Sequence, residues 1–192
     1  MLKALLVLML LPLTARADEP DSDWDTRLSA VSGEVRIFAS GGDVEGIPGE
    51  QDMPLDSGDR VLTGDGGSAE ISFEGGSIVS LHENSDFTLE AIRKKDSTLS
   101  LAFGRLLAKI QALGGGGLRV RTPTAVAAVR GTEFGVEVLA ENPDETDIAV
   151  FDEGQVEVQG LISGGESRVL IANQETRVVK GQAPAMAYQL KR

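Results

Sequence analysis

From Val31 onward, apolar side chains recur at every second residue. Val35 and Ile37 alternate with Glu34 and Arg36, and Ala69, Ile71 and Phe73 with Glu70, Ser72 and Glu74. Leu99, Leu101 and Phe103 repeat the pattern, as do Leu118 and Val120, Phe134, Val136 and Val138, Ile148 and Val150, and Val156 and Val158. A period of two puts successive side chains on opposite faces, so each run predicts a strand with one face on a core and one in water. Turn signals separate the runs: Ser57-Gly58-Asp59, Gly64-Asp65-Gly66-Gly67, Glu74-Gly75-Gly76, Glu83-Asn84-Ser85, Asp152-Glu153-Gly154 and Ser163-Gly164-Gly165. Between Ala102 and Leu113 two periods compete. Leu106, Leu107, Ile110 and Leu113 fit helical spacing, whereas Gly104 resembles the other hairpin glycines and favours a strand.

Gly33-Glu34-Val35, Gly104-Arg105-Leu106 and Gly154-Gln155-Val156 form a weak internal repeat with irregular spacing. An all-β domain follows, as an irregular β-solenoid or β-roll of stacked short strands and hairpins, with a plain sandwich as the alternative. Helix is expected only as a short turn around Trp24 to Ala30. Gly114 to Gly117 reads as a tether, Glu141 to Asp147 as an exposed acidic loop, and the chain beyond Lys180 as loosely packed.

Residues 1–17 have the form of a secretory signal peptide. Lys3 precedes the apolar run Ala4 to Leu11, Pro12 ends it, and Ala15-Arg16-Ala17 offers small residues at the cleavage positions. The run is too short for the roughly 20 residues a membrane-spanning helix needs. Cleavage between Ala17 and Asp18 is expected, with no stable membrane insertion afterwards and delivery to the periplasm or the exterior of a bacterium. The remaining divisions are an acidic leader over 18–30, the all-β domain over 31–180 and a tail over 181–192.

Composition narrows the chemistry. The chain of 192 residues has no cysteine, one histidine (His82) and a formal charge of −12, which becomes −14 once Lys3 and Arg16 leave with the signal. That charge repels phosphate backbones and argues against nucleic-acid binding. A disulfide framework, thiol nucleophile and multi-histidine metal site are excluded, and a Ser-His-Asp site is improbable. No Lys-Ser or Lys-Thr closes a glycine loop, so there is no phosphate-binding P-loop. Two carboxylates acting on a glycosidic bond stay open as an alternative, although thirty acids supply such pairs by chance. Gly64 to Gly67 resembles a calcium-binding β-roll turn, but it occurs once where that motif requires repetition. No catalytic residue, cofactor or metal is expected.

One segment departs from simple alternation. From Ala125 to Val129 it is small and apolar on both faces, which suits a buried crossover packed between layers. Pro123 removes one ladder hydrogen bond, Arg130-Gly131-Thr132 interrupts the apolar run, and Glu133 is placed to pair with Arg130 or another cation. Thr122, Pro123, Thr124, Ala125, Arg130, Gly131, Thr132, Glu133 and Phe134 fall in the spacing Thr-Pro-x-Ala-x-x-x-x-Arg-Gly-Thr-x-Phe. With Gly58-Asp59-Arg60-Val61-Leu62-Thr63, Ser68 to Phe73, Gly76-Ser77, Leu81 and Val150 to Val158, this strongly resembles the FecR domain family over residues 58–158. The resemblance implies an all-β, solenoid-like periplasmic domain, with signature residues that are mainly structural. In the regulators that name the family, such a domain relays an iron–siderophore signal from an outer-membrane transporter to a cytoplasmic sigma factor. Here a signal peptide stands where those regulators carry an anti-sigma segment and a membrane helix. The expectation is therefore a stand-alone, non-catalytic binding, scaffold or signalling module whose partner is an envelope protein or a cell-wall glycan. Its acidic surface favours basic partners and salt-sensitive association. A self-assembling subunit that closes its own sheet edges is the third reading.

Overall fold

In a computed structural model of the chain, residues 25–42, 44–93, 96–111, 117–161 and 165–190 are described. The signal peptide, the proposed Ala17–Asp18 cleavage point and Gly114 to Gly116 lie outside them. Among the described residues every regular element is a strand. They are β1 (Thr26–Ser32), β2 (Val35–Phe38), β3 (Ile47–Pro48), β4 (Met53–Pro54), β5 (Arg60–Thr63), β6 (Ser68–Phe73), β7 (Ser77–Leu81), β8 (Asp86–Ala91) and β9 (Asp96–Lys109). There follow β10 (Gly117–Arg121), β11 (Ala125–Val129), β12 (Glu133–Leu139), β13 (Asn142–Val150), β14 (Gln155–Gly160), β15 (Ser167–Ile171), β16 (Gln174–Val179) and β17 (Tyr188–Gln189).

The strands form one mixed sheet that divides, through β9, into two rows. The first row runs β4-β1-β6-β7-β9-β12-β13-β16-β17, and the second runs β3-β2-β5-β8-β9-β10-β11-β14-β15. Neighbours are antiparallel except β9 with β10. The all-β expectation is met. The sheet is open at its ends, and its rows are built chiefly of antiparallel neighbours.

The alternation in the sequence is the alternation of burial. Ala69, Ile71 and Phe73 of β6 and Val156 and Val158 of β14 turn inward to a core that both rows share. Burying each Val, Leu, Ile or Phe contributes about 1.5–3 kcal/mol, which opposes the chain entropy lost in ordering the strands. Over Ala102 to Lys109, β9 resolves the competing periods as strand; Leu113 lies outside the described residues. Its first half, Asp96 to Phe103, pairs in the second row, and its second half, Gly104 to Lys109, pairs in the first. At the crossing Gly104 has φ +103°, and a Cβ there would collide with Ser85. The inward positions change from Leu99 and Leu101 to Leu106 and Ala108. The helical spacing came from Leu107, an apolar residue on the outer face between the inward Leu106 and Ala108.

Two segments differ from expectation. Thr26 to Ala30 is strand, not a helical turn: Thr26 and Leu28 face inward while β1 pairs with β4 and β6. The acidic run Asn142 to Asp147 is the first half of β13, not a loop. Its acids meet cations of or just beyond β16: Asp147 and Glu145 pair with Arg177 at 2.7 and 3.2 Å, and Asp144 with Lys180 at 2.8 Å. The chain beyond Lys180 is tied down along β16 by Gln182 N–H to Val179 O, Ala185 N–H to Arg177 O and Leu190 N–H to Asn173 O. No helix among the described residues is long and apolar enough to cross a membrane.

Candidate functional site

The segment Thr122 to Phe134 supplies the β10–β11 turn, all of β11 and the crossing into β12. Thr122, Thr124, Ala125, Thr132 and Phe134 are buried. At the β10–β11 turn, Thr122 Oγ1 accepts from Ala125 N–H at 3.0 Å and lies 2.9 Å from Thr146 Oγ1. Thr124 Oγ1 lies 2.7 Å from the same Thr146 hydroxyl and 3.1 Å from Val178 O. Neutral hydroxyls thus join the second row to β13 and β16 of the first, and among the described residues every buried side-chain polar atom is satisfied.

At the other end of β11, Gly131 takes φ +62°, a conformation that favours glycine. Thr132 donates its hydroxyl to Glu153 O, and its own carbonyl accepts from Ile110 N–H at 3.0 Å. Phe134 then enters the core from β12. Glu133 faces outward and lies 3.9 Å from Lys109, so its cation is Lys109 and not Arg130.

β11 itself lies within the second row, between β10 and β14. Ala125, Ala127 and Val129 face the core, while Val126 and Ala128 are half-buried on the outer side. The segment is therefore not enclosed between layers. Its small outer residues are flanked by longer ones, with Arg119 and Glu157 opposite Ala128 and Arg121 and Gln159 opposite Val126. The height difference makes a hollow of about 560 Å³ bounded by Asp96, Arg119, Arg130, Gln155 and Glu157. Arg119 is held by Asp96 at 2.6 Å. Arg130 is exposed, and its guanidinium has no ion-pair partner among the described residues. Pro123 is exposed at the opposite end of the segment. Sequence spacing marked all nine signature residues alike; only burial separates Arg130 from the packed ones.

Asp59 and Asp86 are the buried acids among the described residues. Asp59 accepts Ser40 N–H at 3.0 Å and Asp56 N–H at 2.9 Å. Asp86 binds Arg60 through both oxygens at 2.6 and 2.7 Å, and Arg60 also lies over the Phe38 ring at 5.2 Å. Hydrogen bonding to Asp86, opposed by burial, raises the Arg60 pKa above its ordinary value. Asp59 thus fixes the chain before β5, and Asp86 ties β8 to β5. In the Gly64–Gly67 turn, Gly66 N–H donates to the Glu83 carboxylate at 2.8 Å. Among the described residues no three His, Cys, Asp or Glu side chains cluster as a metal site. His82 is half-buried, and its main-chain carbonyl accepts from Thr63 Oγ1 at 2.6 Å and from Ser85 Oγ at 2.8 Å.

The sequence profile described as FecR protein matches residues 59–157, from the buried Asp59 to β14. The chain belongs to the FecR family. Its fold is similar to that of a Parabacteroides distasonis protein provisionally described as an anti-sigma factor and known from crystal structures at 1.65 and 2.50 Å resolution. In each the TM-score is 0.58 with 17% sequence identity over 69% of this chain. The match spans 60% of that protein's length, so the likeness is one of fold. No protein with a curated description matches the sequence. The matched segment ends within β14, and β15 to β17 follow it in this chain.

Proposed function

We propose that this FecR-family chain is an exported, non-catalytic signalling module of the bacterial envelope, acting by binding another envelope protein. The chain winds as a roll of stacked hairpins, and the signature residues Thr122, Thr124, Ala125, Gly131, Thr132 and Phe134 serve to hold its two rows together. One observation carries the binding role. In a segment mostly given over to packing, Arg130 faces water beside the hollow, with no ion-pair partner among the described residues. A guanidinium in that position presents a fork of donors to a carboxylate or main-chain carbonyl. The signal-like first 17 residues support export, and the fold shared with the P. distasonis protein supports a regulatory rather than an enzymatic role.

Site-specific photo-crosslinking in the producing bacterium tests this reading. A photoreactive residue at position 130 is expected to give a discrete adduct with one envelope protein, while the same residue at Glu50, remote in sequence and also exposed, gives none. Equal, diffuse labelling from both positions would remove the binding role. Turnover of a cell-wall glycan that vanished with a single acid substitution would replace it with catalysis.

A further inference from the structure

The two rows of strands end in four edges, and their treatment is unequal. At the N-terminal end one stretch, Ile47 to Leu55, runs across both rows. It supplies β3 against β2 and β4 against β1, and adds Gly49 N–H to Val35 O, Asp52 N–H to Leu28 O and Leu55 N–H to Thr26 O. Both short strands carry a proline, Pro48 and Pro54, which interrupts any further ladder. At the C-terminal end, β17 and the bonds from Gln182, Ala185 and Leu190 cover the first row. The second row ends at β15, which pairs with β14 alone.

β15 is five residues long, with no proline or glycine. Val169 and Ile171 are 50% and 54% exposed on its outer face. Its one charge, Arg168, is on the inner side and donates to Pro184 O at 3.4 Å. The Ile171 N–H is taken by Gln174 Oε1 at 3.2 Å and therefore points away from β14. In an antiparallel pair the outward-directed main-chain groups recur at alternate residues, so those of Val169 and Ser167 also point outward. No described residue bonds them there.

We propose that β15 is a self-pairing edge, and that two copies of this chain join antiparallel across a two-fold axis at Val169. The main-chain donors and acceptors demand an extended strand, and the register about Val169 makes β15 its own complement. Val169 faces Val169 of the second copy, Ser167 faces Ile171, and Arg168 faces Leu170 on the inner side. Ile171 exchanges its Gln174 contact for main chain. No like charges stand directly opposite; the two Arg168 side chains are diagonal neighbours on the inner face, roughly 7–8 Å apart, each turned to its own Pro184 O. Glu157, one strand in from the edge, comes no closer to its counterpart than three strand spacings, roughly 14 Å, beyond the Debye length of about 8 Å at physiological ionic strength. Two open rows become one continuous sheet, which removes the exposed edge.

Sedimentation and light scattering of the full chain, as the producing cell delivers it, from micromolar to millimolar concentration, should show mass doubling. Val169→Lys and Val169→Glu each place like charges opposite one another at the axis and should raise the dissociation constant at least about tenfold. Their equimolar mixture should re-associate at low salt. Leu139→Lys, at another exposed position, should dimerise like the parent. Unchanged dichroism and melting in each variant shows that folding is intact. A parent chain that stays monomeric throughout overturns the proposal, as does dimerisation that survives Val169→Lys, or a mixture that fails to re-associate. Val169 also borders the hollow beside Arg130, yet the two readings fail separately: a monomeric parent would leave crosslinking from position 130 unaffected, and a lost adduct would leave the mass doubling.

Discussion

Two polar corners hold the rows of this domain, and they do so by different chemistry. Near the β10–β11 turn, Thr122, Thr124 and Thr146 bind through neutral hydroxyls sealed in the core. Near the start of β5, Asp59 holds main-chain N–H groups and Asp86 holds the half-exposed Arg60. The neutral corner has no charge for water or salt to screen, and its strength comes from leaving no donor or acceptor unmade. The ionic corner retains access to water on its cationic side, which limits both its contribution and the cost of losing it. The contrast teaches that burial, more than bond count, sets how much each corner contributes.

The largest break in that contrast is Phe134→Ala, where the neutral side enters the core. Removing the buried ring should cost about 3–5 kcal/mol in denaturant unfolding. A loss below about 1 kcal/mol would show that the site collapses around the gap. Next is Thr124→Val, which keeps the shape but strips Thr146 and Val178 O of a partner, and should cost about 1–3 kcal/mol. Its effect should be the same in low and high salt. Asp86→Asn should cost about 1 kcal/mol, because Arg60 can rehydrate, and this loss should shrink as salt is added. Equal salt dependence in the two variants would erase the distinction between the corners. Because the Arg60 pKa is raised, its stabilisation is complete below the ordinary guanidinium value and fades only as pH climbs through the shifted one.

A smaller effect lies at the last strand. Burial first, and then the hydrogen bond to Glu175, push the Tyr188 phenol above its ordinary 10.0. A raised phenol pKa adds stability below 10.0 that is lost as pH rises through the folded value, so β17 should loosen in alkali. Tyr188 is the only tyrosine, which lets ultraviolet titration of phenolate follow it directly. Midpoints that coincide in folded and unfolded chain would show β17 undocked. Least of all, Arg130→Ala should move stability by no more than about 0.5 kcal/mol. In crosslinking from a neighbouring exposed position, the same substitution should abolish the adduct.

Much of this architecture was legible as alternation. Val35 and Ile37, Leu118 and Val120, and Ile148 and Val150 all face inward as their spacing requires. What failed to show was dictated by partners distant in sequence. Thr26 and Leu28 alone made too short a pattern to announce β1 until β6 lay beside them. The acids of β13 read as a loop because their counter-charges, Arg177 and Lys180, stand thirty or more residues away. At the signature segment the spacing revealed the family, but β11 looked buried on both faces. Small residues between long neighbours make the same pattern on a half-open surface. Arg130 stood out from its neighbours only once their burial was known.

β9 has a consequence for how the domain comes apart. Because this one strand is hydrogen-bonded into both rows, neither can peel away without tearing a ladder in the other. Its amides should therefore exchange with solvent deuterium only through whole-molecule opening, while those of β3, β4 and β17 exchange through local fraying. Tension applied at the two ends of the chain would meet its stiffest resistance in the middle of the sequence.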